Sequence, residues 1–88
     1  MARYVICYDL RKPNYTEADY DELYSALDSI GAKHIQDSVW AVRLDEWSAR
    51  DIYNHLWAHM HQPKDRLLVA ECDGGFQNIH GITKFKDV

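Results

Sequence analysis

Three short runs in this chain are apolar at consecutive positions, yet only two segments can form helices. The runs are Tyr4-Val5-Ile6-Cys7-Tyr8, Val39-Trp40-Ala41-Val42 and Leu67-Leu68-Val69-Ala70. A strand with one wet face alternates apolar and polar residues; a continuous apolar run is expected where both faces are covered. Two helices suffice for one face of a four-stranded sheet. The other face then needs a cover from outside the 88 residues, and the simplest is a second copy of the chain. The first run also ends in an ionisable cluster, Asp9-Leu10-Arg11-Lys12. A carboxylate at the end of a buried strand, beside an expected two-fold axis, is the leading functional candidate.

A chain of this length is expected to form one domain. It buries roughly 60–65% of its unfolded surface, so its core is thin. The 47% hydrophobic and 12% aromatic content is enough for a globular core. No apolar run approaches the ~18 residues of a membrane span. Met1-Ala2-Arg3 leads directly into a strand pattern, not into a secretory leader. A cytoplasmic protein with no membrane partner is therefore expected. Cys7 and Cys72 lie inside strand patterns and read as buried thiols, not as a disulfide framework. The formal charge of −4 argues against wrapping long nucleic acid, which leans on Lys and Arg. It leaves room for a small nuclease site with a few local cations. The acids gather between Glu17 and Asp28 and at Asp45, Glu46 and Asp51, as solvated helix faces and first turns do.

Along the chain, the first strand spans about 3–9, and Lys12-Pro13-Asn14 breaks it because proline cannot donate to a ladder. Thr16 is a helix N-cap, with Glu17 and Asp19 in the first turn. Tyr20, Leu23, Tyr24, Leu27 and Ile30 form one apolar stripe, and Gly31 stops the helix in the left-handed conformation. Strands are expected at 32–36 and 38–44, joined at Asp37-Ser38. The second helix starts at Ser48, with Asp51 completing a capping-box variant and Trp47 and Ile52 as a hydrophobic staple. Ile52, Tyr53, Leu56, Trp57 and Met60 are its apolar face, and His61-Gln62-Pro63 ends it. A fourth strand covers 66–72, Asp73-Gly74-Gly75 turns, and weak strand character returns around 82–85. The expected fold class is α+β. It is a ferredoxin-like βαββαβ unit over 1–75, with a four-stranded antiparallel sheet and both helices on one face. A C-terminal extension, 76–88, either crosses to a partner subunit or frays.

The residues resemble a known family. Val5-Ile6-Cys7-Tyr8-Asp9-Leu10, followed by Arg11, is similar to the opening strand of the small CRISPR-associated adaptation protein, the dimeric ferredoxin-like partner of the spacer integrase. The stretch from Gly31 to Leu44, with its Gln36-Asp37-Ser38-Val39-Trp40 core, looks like that family's second and third strands. The VapD-type toxin endoribonucleases share the plan. The resemblance covers about 4–72. It implies a homodimer packed through the sheet faces, a metal site at the first-strand aspartates, and contact with nucleic acid. Departures are the lower basic content, Pro13 and Asn14 where the family carries arginines, and the segment after Gly75.

On that reading Asp9 is both the catalytic residue and the metal ligand. Two copies of Asp9 across a two-fold would hold one Mg²⁺ or Mn²⁺, which prefers carboxylate oxygens and retains waters. Arg11 and Lys12 would steer phosphate. Ser38 would bond a phosphate or orient a water, and Tyr8 is the aromatic expected to touch a ligand. Turn chemistry is the alternative for Asp9 and the leading reading for Asp37 and Ser38. His55 and His59, four apart and followed by His61, have zinc-site spacing without a completing ligand, so solvated helix-flank histidines are expected. Trp40, Trp47 and Trp57 read as structural, and Gly74-Gly75 as a flexible turn. The leading function is a nucleic-acid-associated homodimer, acting if catalytic as a metal-dependent endonuclease or endoribonuclease on RNA or DNA. The alternatives are two. One is a non-catalytic oligomer that holds a small nucleotide, such as an immune signal in a mobile-element setting. The other is a structural assembly subunit.

Overall fold

The computed structural model describes residues 2–11, 14–61 and 64–72. They form β1 (Ala2–Asp9), α1 (Glu17–Ser29), β2 (Lys33–Gln36), β3 (Val39–Leu44), α2 (Ala49–Trp57) and β4 (Arg66–Glu71). The strands pair antiparallel in the order β2-β3-β1-β4. This is the expected α+β, ferredoxin-like arrangement, with β1 and β3 central. The expected domain end at 75, the 76–88 extension and Lys12 lie outside the described residues.

Local chemistry fixes the helix ends. The Asp19 carboxylate accepts the Thr16 N–H at 2.7 Å, and Asp51 does the same for Ser48 at 2.8 Å. Ser48 Oγ accepts in return from the Asp51 N–H at 3.1 Å, completing the second capping box. At the far end of α1, Gly31 sits at φ 79°. Its N–H reaches the Asp28 carbonyl while Ala32 N–H reaches Leu27. That doubly bonded cap satisfies two carbonyls the helix leaves open. Helix α2 ends at Trp57, earlier than the run to His61 predicts. There His59 and Met60 N–H groups bond the carbonyls three residues back, so the last turn tightens while Met60 still reaches the core.

Pleating divides the sheet. Tyr4, Ile6 and Tyr8 of β1 and Trp40 and Val42 of β3 point to one side, where they form the core with Leu23 and Leu27 of α1 and Ile52 and Leu56 of α2. Both helices therefore cover this inner face. By register the outer face carries Arg3, Val5, Cys7 and Asp9 from β1, Val39, Ala41 and Arg43 from β3, Lys33 from β2, and Arg66, Leu68 and Ala70 from β4. The third apolar run is not enclosed within one chain: Leu67 and Val69 are half-buried, Ala70 is exposed and Leu68 is 56% exposed. Cys7 and Cys72 are likewise partly exposed and not the buried thiols expected, because Cys7 faces this outer side and Cys72 lies just past the end of β4. No described helix is long and apolar enough to cross a membrane.

Asp65 is the buried charged residue at the foot of β4, 8% exposed. Its carboxylate accepts the Arg11 N–H at 2.7 Å and the His61 N–H at 2.8 Å. It thereby ties the end of β1 to the chain entering β4. Asp65→Ala would leave two partly buried donors without this acceptor. It is expected to lower stability by about 2–3 kcal/mol, less than the sum of two bonds at about 1.5–3 kcal/mol each, because the partly buried donors regain water. Thermal melting checks this: a drop of less than about 4 °C would show that the carboxylate contributes little.

Candidate functional site at the end of the first strand

Leu10 is buried, so the residues on either side of it are turned away from the core. Asp9 and Arg11 accordingly meet, with the Arg11 guanidinium 3.9 Å from an Asp9 oxygen. Their side chains are 59% and 50% exposed. A pair so open to water is worth no more than about 1 kcal/mol and does not sequester the carboxylate from a cation. Arg66 stands directly across from Asp9 on β4. An open hollow of about 220 Å³ beside them is lined by Asp9, Arg66, Cys7, Leu67 and Leu68, with Tyr8 between.

Ser38 reaches the same end of the sheet. It occupies the left-handed region at φ 61° in the β2–β3 turn, and its carbonyl accepts the Tyr8 N–H at 3.1 Å. Asp9, Arg11 and Ser38 thus lie around the tip of β1. Tyr8 does not join them. Its side chain is on the opposite face, 6% exposed, and its hydroxyl bonds the Tyr24 hydroxyl at 3.2 Å. Adjacent strand residues point to opposite faces, which is why proximity to Asp9 in sequence misleads here. Burial first, then the bond with Tyr24, pushes the Tyr8 phenol well above its ordinary range, so it stays protonated.

The electrostatics of this face differ from those of the whole chain. Arg3, Lys33, Arg43 and Arg66 all stand on the outer face, whereas Glu17, Asp19, Asp21, Glu22 and Asp28 lie on α1. The net charge of −4 averages over this separation. Two further features are absent from the sequence reading. Asp65 holds the Arg11 backbone; its only sequence signal is an acid directly before an apolar strand. Tyr20 on α1 lies close enough for the Asp9 charge to contribute to an upward shift of its phenol, after the larger effects of a hydrogen bond with Tyr15 and burial.

The helix histidines have structural partners. His55 Nε2 lies 3.1 Å from Ser29 Oγ and 3.3 Å from the Ala26 carbonyl, while His59 Nδ1 is 3.3 Å from Glu22. They stitch α2 to α1 and are not simply solvated. Among the described residues no group of three His, Cys, Asp or Glu side chains is placed to hold a metal ion. At this end of the sheet the described residues therefore offer Asp9 as an exposed oxygen donor group, which suits Mg²⁺ or Mn²⁺ only if a second carboxylate joins it.

No family model and no curated protein matches the chain. Among solved structures it is similar to the crystal structure of a hypothetical protein, TT1823, from Thermus thermophilus. The two share 21% identity over 93% of this chain and 94% of that one, with a TM-score of 0.72. That similarity establishes the ferredoxin-like fold and carries no activity with it.

Proposed function

We propose that the protein is a nucleic-acid-associated homodimer, closed through the outer sheet faces, that acts as a metal-dependent phosphodiesterase with Asp9 of both copies on one ion. The observation that carries this reading is the outer face. Its apolar middle, Val5, Cys7, Val39, Leu68 and Ala70 around the buried Ala41, is covered by neither described helix and is flanked by charged residues. An apolar centre inside a polar rim is the anatomy of a protein interface. A two-fold axis running along the strands at the tip of β1 would bring Asp9 beside its symmetry mate, completing an oxygen donor set that the described residues of one chain do not supply.

Mg²⁺ or Mn²⁺ bound there supplies an activated water and offsets charge on the phosphodiester. The protein's own part is positioning. Arg11 and Arg66 offer donors to phosphate oxygens, and the Asp65 carboxylate fixes the Arg11 backbone. Ser38 stands at the same strand end, its carbonyl bonded to the Tyr8 N–H, and its hydroxyl is the further phosphate donor this reading assigns. The test is cleavage of end-labelled single-stranded RNA and DNA with Mn²⁺ and with excess chelator. Metal-dependent cleavage of either polymer supports the proposal; intact substrate under all conditions contradicts it.

A further inference from the structure

Tyr15 stands apart from the other aromatic residues of this chain. It is 48% exposed, and with Leu68 it is the large apolar side chain that the described residues leave open to water. Leu68 belongs to the outer sheet face, whereas Tyr15 precedes α1. Its ring stands at 80° to that of Tyr20, with centroids 5.3 Å apart. Tyr20 in turn leans on Tyr24 at 5.9 Å. Tyr15 is therefore held from one side by an aromatic ladder that runs into the core.

Tyr15 also lines an open hollow of about 230 Å³, together with Leu10, Met60, His59 and His61. Ala58 and the carboxylates of Asp19, Glu22 and Asp65 complete its wall, Asp19 also capping Thr16, Glu22 facing His59 and Asp65 holding the Arg11 and His61 N–H groups. The apolar parts suit a flat, uncharged ring. The carboxylates repel phosphate and accept hydrogen bonds from amino groups. Arg11 follows Leu10 directly, and its guanidinium lies on the Asp9 side of that residue. The hollow and the strand-end site are thus adjacent along the chain, separated by one buried leucine.

We propose that this hollow is a nucleobase site, in which an unpaired, amino-bearing base of a single strand stacks on Tyr15 while its backbone passes Arg11 toward Asp9. The inference rests on the nucleic-acid reading of the Asp9 site and adds the class of substrate: single-stranded, with adenine or cytosine preferred over uracil. Tyrosine suits the task because a ring with two torsions loses little freedom on binding. Uracil lacks an exocyclic amino group and presents carbonyl acceptors to the carboxylates instead. A paired base cannot enter, because its amino edge and both of its faces are already occupied.

The experiment measures binding of labelled oligoadenylate, oligocytidylate, oligouridylate and a duplex by fluorescence anisotropy, in chelator so that cleavage does not intervene. The expected order is oligoadenylate and oligocytidylate above oligouridylate, with duplex weakest. Tyr15→Ala is expected to weaken oligoadenylate binding by about fivefold or more, since base–aromatic stacking is worth roughly 1–3 kcal/mol. Tyr15→Phe, which keeps the ring, should stay within about twofold of the native affinity. Tyr15→Ala and native protein binding every strand alike would overturn the base site and leave the Asp9 proposal standing. If the native protein binds no strand, both proposals fall.

Discussion

Replacing Asp9 by asparagine is expected to abolish metal-dependent cleavage, lowering the rate by roughly two orders of magnitude or more. Loss of a residue that only orients a metal ligand already costs about 10–100-fold in metal affinity or activity, and removing the ligand's own charge costs more. The symmetric site deepens the loss, since one substitution removes both carboxylates. Asparagine keeps the shape of the side chain and gives up only the charge. At 59% side-chain exposure, with one loose ion pair to Arg11, Asp9 contributes little to folding. The melting temperature should therefore stay within a few degrees while the activity disappears. Initial rates with saturating Mn²⁺ beside a thermal melt separate the two effects. Equal rates for the native and substituted proteins would remove Asp9 from the chemistry.

Leu27→Ala is expected to have the largest effect on stability. Leu27 is fully buried between α1 and the sheet. Truncating such a leucine costs the lost transfer energy and leaves a cavity, about 3–4 kcal/mol together. A domain of this size has roughly 4–13 kcal/mol in all. The substitution therefore removes between a quarter and nearly all of it. The melting temperature should fall by about 15–25 °C, because each kcal/mol shifts a small domain by about 4–8 °C. A fall of under 5 °C would mean that α1 repacks freely over the sheet, contrary to the interlocked core described above.

Periodicity and end chemistry made the fold readable in advance. The stripe Tyr20, Leu23, Tyr24, Leu27, the Thr16 and Ser48 caps and Gly31 mark α1 and α2 closely, since each acts within a few residues of itself. The end of α2 is less legible: Met60 fits the helical spacing, yet it reaches the core from a tightened turn after Trp57. Asp9 and Arg11 were recognisable as one cluster because they flank Leu10 in sequence, whereas Ser38 reaches that end only because β1 and β3 pair in register. Tyr8 was misassigned because strand alternation, not nearness in sequence, decides which face a ring takes. Asp65 and the nearness of Tyr20 to Asp9 escaped notice for a different reason. The partners of Asp65 and Tyr20, Arg11 and Asp9, lie far away in the chain and meet them only after the loops close. The charge on the outer face was hidden in the same way, because composition adds Arg3, Arg43 and Arg66 to the acids of α1 without regard to side.

The outer face carries the whole account, and the mass of the native protein in solution tests it most directly. Light scattering at micromolar concentration is expected to return twice the 10.3 kDa of one chain. Leu68→Glu, which places a charge at the most exposed apolar position of that face, on the edge strand β4, should return the single-chain mass with the fold retained. A native protein that scatters as one chain would contradict the paired sheet and, with it, the shared Asp9 site.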